Sequence, residues 1–315
     1  MPTPDRVDDW HEVLAVAAAL RVGLVERLDE GESPQQAAEA LGMDGRATRI
    51  LCGALQGFGY LETGGDGETR LTARGSALLG PDAQGRDPAA DILLSARAIA
   101  NHLRLADTLR SGRPVDDVSQ ATDDEQARFM RAMRHVASRR ASETVAAVGA
   151  PPPGGRLLDA GGAPGTYARA FAAAGWRVTV LDLPQALSIT GRELRAQGIA
   201  AVEGDMTETL PEGPWQCVYL GNVTHLLGPE QVADLLTRAA AALVPGGILA
   251  VQDLVRGRNR RAPAFALLML LATEAGDTYD EDAYRAWMAA AGCAFERVVE
   301  IEGGEHQLML GRRTA

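Results

Sequence analysis

From Arg156 onward, apolar runs of strand length alternate with segments of helical spacing, and this alternation leaves few folds open. The runs RLLDA (156–160), RVTVLDL (177–183), AAVEGD (200–205), WQCVYLGNV (215–223) and GILAVQDLV (247–255) are separated by helical segments at 165–174, 185–197 and 229–243. A strand that returns through a helix pairs in parallel with the strand before it, so these units predict a doubly wound α/β sheet. Two further runs, CAFERVVEIE (293–302) and HQLMLGR (306–312), follow a helix at 281–291. Gly303 and Gly304 between them predict an antiparallel hairpin at one edge, which brings the sheet to seven strands.

The first strand of such a sheet ends at the point where ligands bind. Here that end reads LLDAGGAPGTYARAF, residues 157–171. Gly161, Gly162 and Gly165 permit either a tight strand-to-helix turn or a ligand lying against bare main chain. The dinucleotide fingerprint wants glycines at 161, 163 and 166, and the chain supplies Gly161, Ala163 and Thr166. Asp159 precedes the glycines, which disfavours a pyrophosphate and favours a ligand carrying an ammonium group.

DAGGAPGTYARAF resembles the first motif of the class I S-adenosyl-L-methionine (SAM)-dependent methyltransferases, with Ala163 in place of the central glycine. Three later landmarks match in order: VTVLDLP, AVEGDM and LVPGGILAVQDLV. With the N-terminal region described below, the whole pattern is similar to the small-molecule O-methyltransferase family of plant caffeate and bacterial hydroxyneurosporene type. The resemblance implies a Rossmann-like sheet that holds SAM and releases S-adenosylhomocysteine. It implies cofactor contacts from Asp159, Gly161, Gly162 and Gly165. Asp182 with Leu183 would meet the ribose, Asp205 with Met206 would flank the adenine, and Asn222 would lie beside them.

His225, in NVTHLLGPEQ, follows the fourth strand and falls at the carboxyl end of the sheet. In the family a histidine in this loop takes the proton from the acceptor hydroxyl, a task that suits imidazole near neutral pH. The family often reads HDW here, and this chain reads HLL. A base histidine needs a carboxylate to hold its tautomer, and Asp253 and Glu274 are the candidates, Asp253 first. Where plant relatives carry a further glutamate, this chain has Thr278. Phe129, Met130 and Met133 resemble the family's acceptor-lining helix, and Phe265, Leu268 and Met269 sit at helical spacing opposite them; core packing is the competing reading for each. His135 faces either the pocket or solvent. Five histidines show no metal spacing, so no metal is expected.

The same fold also serves carbon or nitrogen methylation and non-methylating steps such as cyclisation or decarboxylation. Apolar, adaptable pocket residues suit a phenolic or polyketide-like secondary metabolite without naming it.

Before this region come a helical pattern over 10–28, SPQQAAEALGM with Ser33 as N-cap and Pro34 in the first turn, a helix near 47–58, and LETGGDGETRLT, a hairpin around Gly64, Gly65 and Gly67. This order is that of a winged helix. Its second helix offers Arg46 and Arg49 and is otherwise apolar, and the net charge is -11. Both argue against nucleic acid and for a dimerisation module that pairs two copies of the chain. We expect a winged-helix domain over 1–88, a helical segment with the acceptor-lining helices over 89–150, and a SAM-binding domain over 151–315. Three scattered cysteines point to free buried thiols in a reducing compartment. The polar start MPTPDRVDDW reads as no signal peptide, and AFALLMLLA (264–272) is too short to span a bilayer, so a cytoplasmic protein with no membrane contact is expected.

Overall fold

The computed structural model describes residues 9–64, 68–81, 87–116 and 123–314. The chain divides into two compact units, 1–103 and 104–315. The division falls inside the 89–150 segment that the sequence set apart.

The first unit contains α1 (Asp9–Arg21), α2 (Leu24–Asp29), α3 (Pro34–Ala40), α4 (Gly45–Gly57), β1 (Leu61–Thr63), β2 (Thr69–Leu71), α5 (Ala73–Ser76) and α6 (Pro88–His102). The single helix expected over 10–28 is broken, because Gly23 takes φ 73°, which ends α1 and starts α2. Ser33 caps α3 as read, in a reciprocal box with Gln36. The hairpin pairs Leu61 with Leu71, and its tip, including Gly65 and Gly67, lies outside the described residues. Helix α4 buries Cys52 and Leu55 in a core with Val16, Leu24 and Leu28, and leaves Ile50 exposed.

The second unit opens with α7 (Leu105–Ser111), α8 (Asp123–Ser138) and α9 (Ala141–Val148). The continuous helicity expected over 90–148 is therefore interrupted. One break lies at Leu103–Arg104 and another at the turn 139–140. The sheet follows: β3 (Arg156–Ala160), α10 (Thr166–Ala173), β4 (Arg177–Asp182), α11 (Pro184–Ala196), β5 (Ala200–Glu203), β6 (Trp215–Gly221), α12 (Pro229–Ala242), β7 (Leu243–Asp253), α13 (Ala262–Ala272), α14 (Glu281–Ala290), β8 (Cys293–Ile301) and β9 (His306–Arg313). The seven strands run in the order β5-β4-β3-β6-β7-β9-β8. The first five are parallel, while β9 is antiparallel to both β7 and β8. Strand β7 begins earlier than its apolar run, at Leu243, and includes the Pro245–Gly247 turn.

Strand order reverses at β3, whose neighbours β4 and β6 lie on opposite sides, so a crevice opens at its carboxyl end. Both faces of the sheet are covered. Leu158, Val218, Leu220 and Met309 pack with α12 and α14, whereas Leu157, Tyr219, Leu308 and Leu310 pack with α9, α10 and α11. This is why the central strands read as unbroken apolar runs instead of alternating ones.

Candidate active site

The glycine turn is built so that side chains are excluded. Gly161 takes φ 76°, and a Cβ there would stand 2.6 Å from Val223 Cγ1, with Met206 Sδ at 3.4 Å. A Cβ on Gly162 would stand 2.5 Å from the Asp159 carboxyl carbon. Gly165, at φ 82°, starts α10 against Leu194. The turn is tied to the next strand, because the Ala163 amide donates to Asp182 Oδ2 at 2.9 Å and the Leu183 amide donates to Oδ1 at 2.8 Å. Substituting Ala163 for the motif's central glycine leaves this tie in place, since only the backbone amide is used.

Three carboxylates gather at this edge. Asp159 is buried, and its Oδ2 has no hydrogen-bond partner among the described residues. Burial first, and the Asp182 charge second, push its pKa up to about 8. Burial raises that of Asp182 as well, the amides of Ala163 and Leu183 oppose it, and the Asp205 charge adds to it. Asp205 Oδ1 is held by the amide and hydroxyl of Thr207, both at 2.7 Å. Asn222, at φ 59°, directly follows β6, and its side chain reaches the Tyr167 hydroxyl. Leu183 is half exposed beside Asp182. A buried carboxylate with one unpartnered oxygen, beside a glycine turn that carries no side chain at 161 and 162, fits a ligand with an ammonium group and ribose hydroxyls. A pyrophosphate does not fit there.

The second cluster lies one strand over. His225 sits in a 3-10 turn, Thr224–Leu226, after β6, and Asp253 is the last residue of β7 beside it. Asp253 Oδ1 is 2.8 Å from His225 Nδ1. The same carboxylate accepts from the His225 amide (3.1 Å), the Thr224 hydroxyl (2.6 Å) and the Leu254 amide (2.8 Å). Burial pushes its pKa up, but the His225 imidazole and these donors outweigh burial and hold it below the ordinary value. A carboxylate only accepts, so Nδ1 carries a proton, and the neutral form of the ring is the tautomer with its lone pair on Nε2. Because Thr224 donates to Asp253, the buried Tyr284 hydroxyl 2.7 Å away donates to Thr224.

Phe265 of α13 meets the His225 ring edge-on, with centroids 4.9 Å apart. Met269 is buried on the same helix and Leu268 half-buried. Glu274 is exposed, and among the described residues no hydrogen bond joins it to His225. Thr278 is buried and donates to the Ala262 carbonyl at 3.3 Å. On α8, which packs on α10 and α11, Phe129 is exposed, Met130 buried and Met133 half-buried. The side chain of His135 lies outside the described residues.

Sequence reasoning missed Thr224 and Tyr284 behind Asp253, and Gly276, where a Cβ would stand 2.4 Å from the His225 carbonyl oxygen. It also missed a buried chain in which Thr144 donates to Gln252 (2.6 Å) and Gln252 donates to the Tyr167 hydroxyl (2.9 Å). Tyr167, two residues beyond the glycine turn, was the one legible from position.

Fold and site together define a class: a seven-stranded sheet of this order, a glycine cradle at β3 and acidic residues ending β3 and β4 are the frame of class I SAM-dependent methyltransferases. The pattern of the methyltransferase domain family matches residues 131–298. The chain is 29% identical over 168 residues to the tetracenomycin polyketide synthesis 8-O-methyl transferase TcmO of Streptomyces glaucescens, a match spanning 50% of this chain and about half, 49%, of that relative. It is 27% identical to acetylserotonin O-methyltransferase of Mus musculus molossinus, covering 96% of this chain and 85% of the relative. The solved mitomycin 7-O-methyltransferase MmcR superposes with a TM-score of 0.80 at 27% identity, covering 98% of this chain and 96% of that one. Solved chains of the same fold hold SAM or S-adenosylhomocysteine. The chain belongs to the methyltransferase domain family, and the relatives and solved structures it is similar to are named as O-methyltransferases. Among the described residues no helix is long and apolar enough to cross a membrane.

Proposed function

We propose that the protein methylates a hydroxyl of a small aromatic or polyketide-like secondary metabolite, with His225 as the general base. The observation that carries this reading is the buried Asp253–His225 pair at the carboxyl edge of the sheet, with Nδ1 bound to the carboxylate and Nε2 not engaged by it. When bound, SAM supplies an electrophilic methyl group and leaves as S-adenosylhomocysteine. Asp159 would receive its ammonium and Asp182 its ribose hydroxyls, and Asp205 with Met206 would hold the adenine, beside the Gly161–Gly162 turn. Leu183 and Asn222 would complete the site. His225 Nε2 accepts the proton of the acceptor hydroxyl, and Asp253 holds the ring and stabilises the imidazolium. Phe265 and Met269, with Phe129, Met130 and Met133 of α8, give the acceptor an apolar face that excludes water. Little covalent assistance is needed, so alignment and desolvation carry most of the rate.

Relatives named for O-methylation of tetracenomycin polyketide, acetylserotonin and 3-amino-4-hydroxybenzoate support an oxygen acceptor on a small molecule. The first unit serves as the pairing surface of a homodimer, a reading supported by exposed Trp10, Val22, Ile50 and Leu79. The test is incubation with methyl-labelled SAM and a panel that includes N-acetylserotonin and 3-amino-4-hydroxybenzoate, followed by mass spectrometry. A mass gain of one methyl, removed by ether cleavage, is expected. A gain that survives cleavage supports carbon or nitrogen methylation instead, and substrate conversion without methyl gain supports a non-methylating enzyme.

A further inference from the structure

At the far end of α8 the chain places a charged side chain in a backbone conformation that costs it strain. Glu302, first residue of the β8–β9 turn, takes φ 53°. The next two residues are glycines at φ 63° and 95°, so the turn already has residues suited to the left-handed region. Glutamate is a poor choice for that backbone, which directs attention to what its side chain does.

That side chain is fully engaged. Glu302 Oε2 accepts from Arg140 Nε at 2.5 Å, and Oε1 pairs with Arg139. The Glu302 amide donates to the Glu143 carboxylate at 2.6 Å. Although burial pushes the Glu302 carboxyl up, Arg140 and Arg139 hold it below the ordinary carboxylate range. Arg140 is buried, and its Nη1 lies 3.4 Å from His306 Nε2 at the start of β9. A guanidinium only donates, so Nε2 accepts and His306 is neutral, in keeping with a pKa that burial and the Arg140 charge push down to about 4. Arg139, Arg140 and Glu143 lie in the turn between α8 and α9 and in the first turn of α9. One carboxylate and one amide of the sheet's edge hairpin thus fasten the point at which α8 ends.

We infer that Glu302, through Arg139, Arg140 and Glu143, is a positioning residue that sets where α8 presents Phe129, Met130 and Met133 to the acceptor. This rests on the reading of α8 as an acceptor-lining helix. The cofactor cradle hangs on other ties, Ala163 to Asp182 and Thr207 to Asp205, so the clamp acts on acceptor binding and leaves SAM binding alone. The Arg134–Glu193 pair, another tie of α8, is exposed and contributes little by comparison.

Three variants separate the side chain from the backbone. Glu302→Gln removes the charge, Glu302→Gly removes the side chain while relieving the φ strain, and Glu302→Asp keeps the charge in a residue that tolerates this conformation better. Hydrogen exchange over 123–138 should speed up in the Gln and Gly variants and stay near wild type in Asp, with protection of β3, β4 and β6 unchanged in all three. For whichever of N-acetylserotonin or 3-amino-4-hydroxybenzoate is methylated faster, acceptor KM should rise on the order of tenfold in Gln and Gly. SAM affinity measured by calorimetry should hold. Wild-type protection of α8 in both Gln and Gly overturns the inference, as does SAM affinity weakening in step with acceptor KM. If neither probe is methylated by the wild type, that result counts against the proposed function, and the exchange data still decide the clamp.

Discussion

Asp253 and His225, 28 residues apart in the chain, are locked together by two contacts: Oδ1 lies 2.8 Å from Nδ1, and Oδ2 accepts the His225 main-chain amide at 3.1 Å. The carboxylate therefore fixes both the tautomer and the turn that carries the ring. Asp253→Asn puts an amide where four donors converge, and its own N–H groups face donors. We expect turnover to fall between about tenfold and 10⁴-fold, with SAM affinity within about twofold of wild type. Steady-state kinetics beside calorimetry checks this, and near-wild-type turnover removes Asp253 from the account.

Gly162 tests the cradle. A Cβ there meets the Asp159 carboxylate, a buried group attached to a core strand that has little room to retreat. Gly162→Ala should abolish measurable SAM binding in calorimetry while the circular dichroism of the sheet remains. Retained affinity means that the cofactor does not depend on this close approach.

Asp159 makes a prediction about pH. Its folded pKa lies near 8 against an ordinary 3.8, so the folded state holds its proton more tightly than the unfolded state does. The stability it contributes is complete below about pH 4 and is lost as pH rises through 8. Thermal unfolding should therefore show Asp159→Asn gaining on the wild type between pH 4 and 8. Saturating SAM, which brings a cation to the carboxylate, should stabilise the wild type more than the variant at pH 8. A constant difference between the two proteins across this range contradicts the assignment.

Much of this was legible in the sequence wherever one residue's neighbours along the chain decide its role. Gly161, Gly162, Asp182 and His225 stand at strand ends, and strand ends follow from the apolar runs. Backbone irregularities inside helical spacing were harder to see. Gly23 breaks a pattern that continues across it, and the 139–140 turn interrupts a run whose spacing reads as continuous. Contacts between distant segments left no local trace: Thr224 with Tyr284, 60 residues apart, and Arg140 with Glu302, 162 apart. The sequence put Asp253 ahead of Glu274 by its place at a strand end, and left both as candidates. Only pairing β7 beside β6 brings Asp253 to the imidazole, while Glu274 lies on an exposed loop.

The central claim is that a neutral imidazole at 225 removes the acceptor proton. His225→Ala, assayed with methyl-labelled SAM and the best acceptor of the panel, tests it most directly. The account predicts oxygen methylation lowered about 10²–10⁴-fold with SAM affinity within about twofold of wild type. Turnover close to that of wild type would contradict it, and would mean that the acceptor arrives already ionised or is not a hydroxyl.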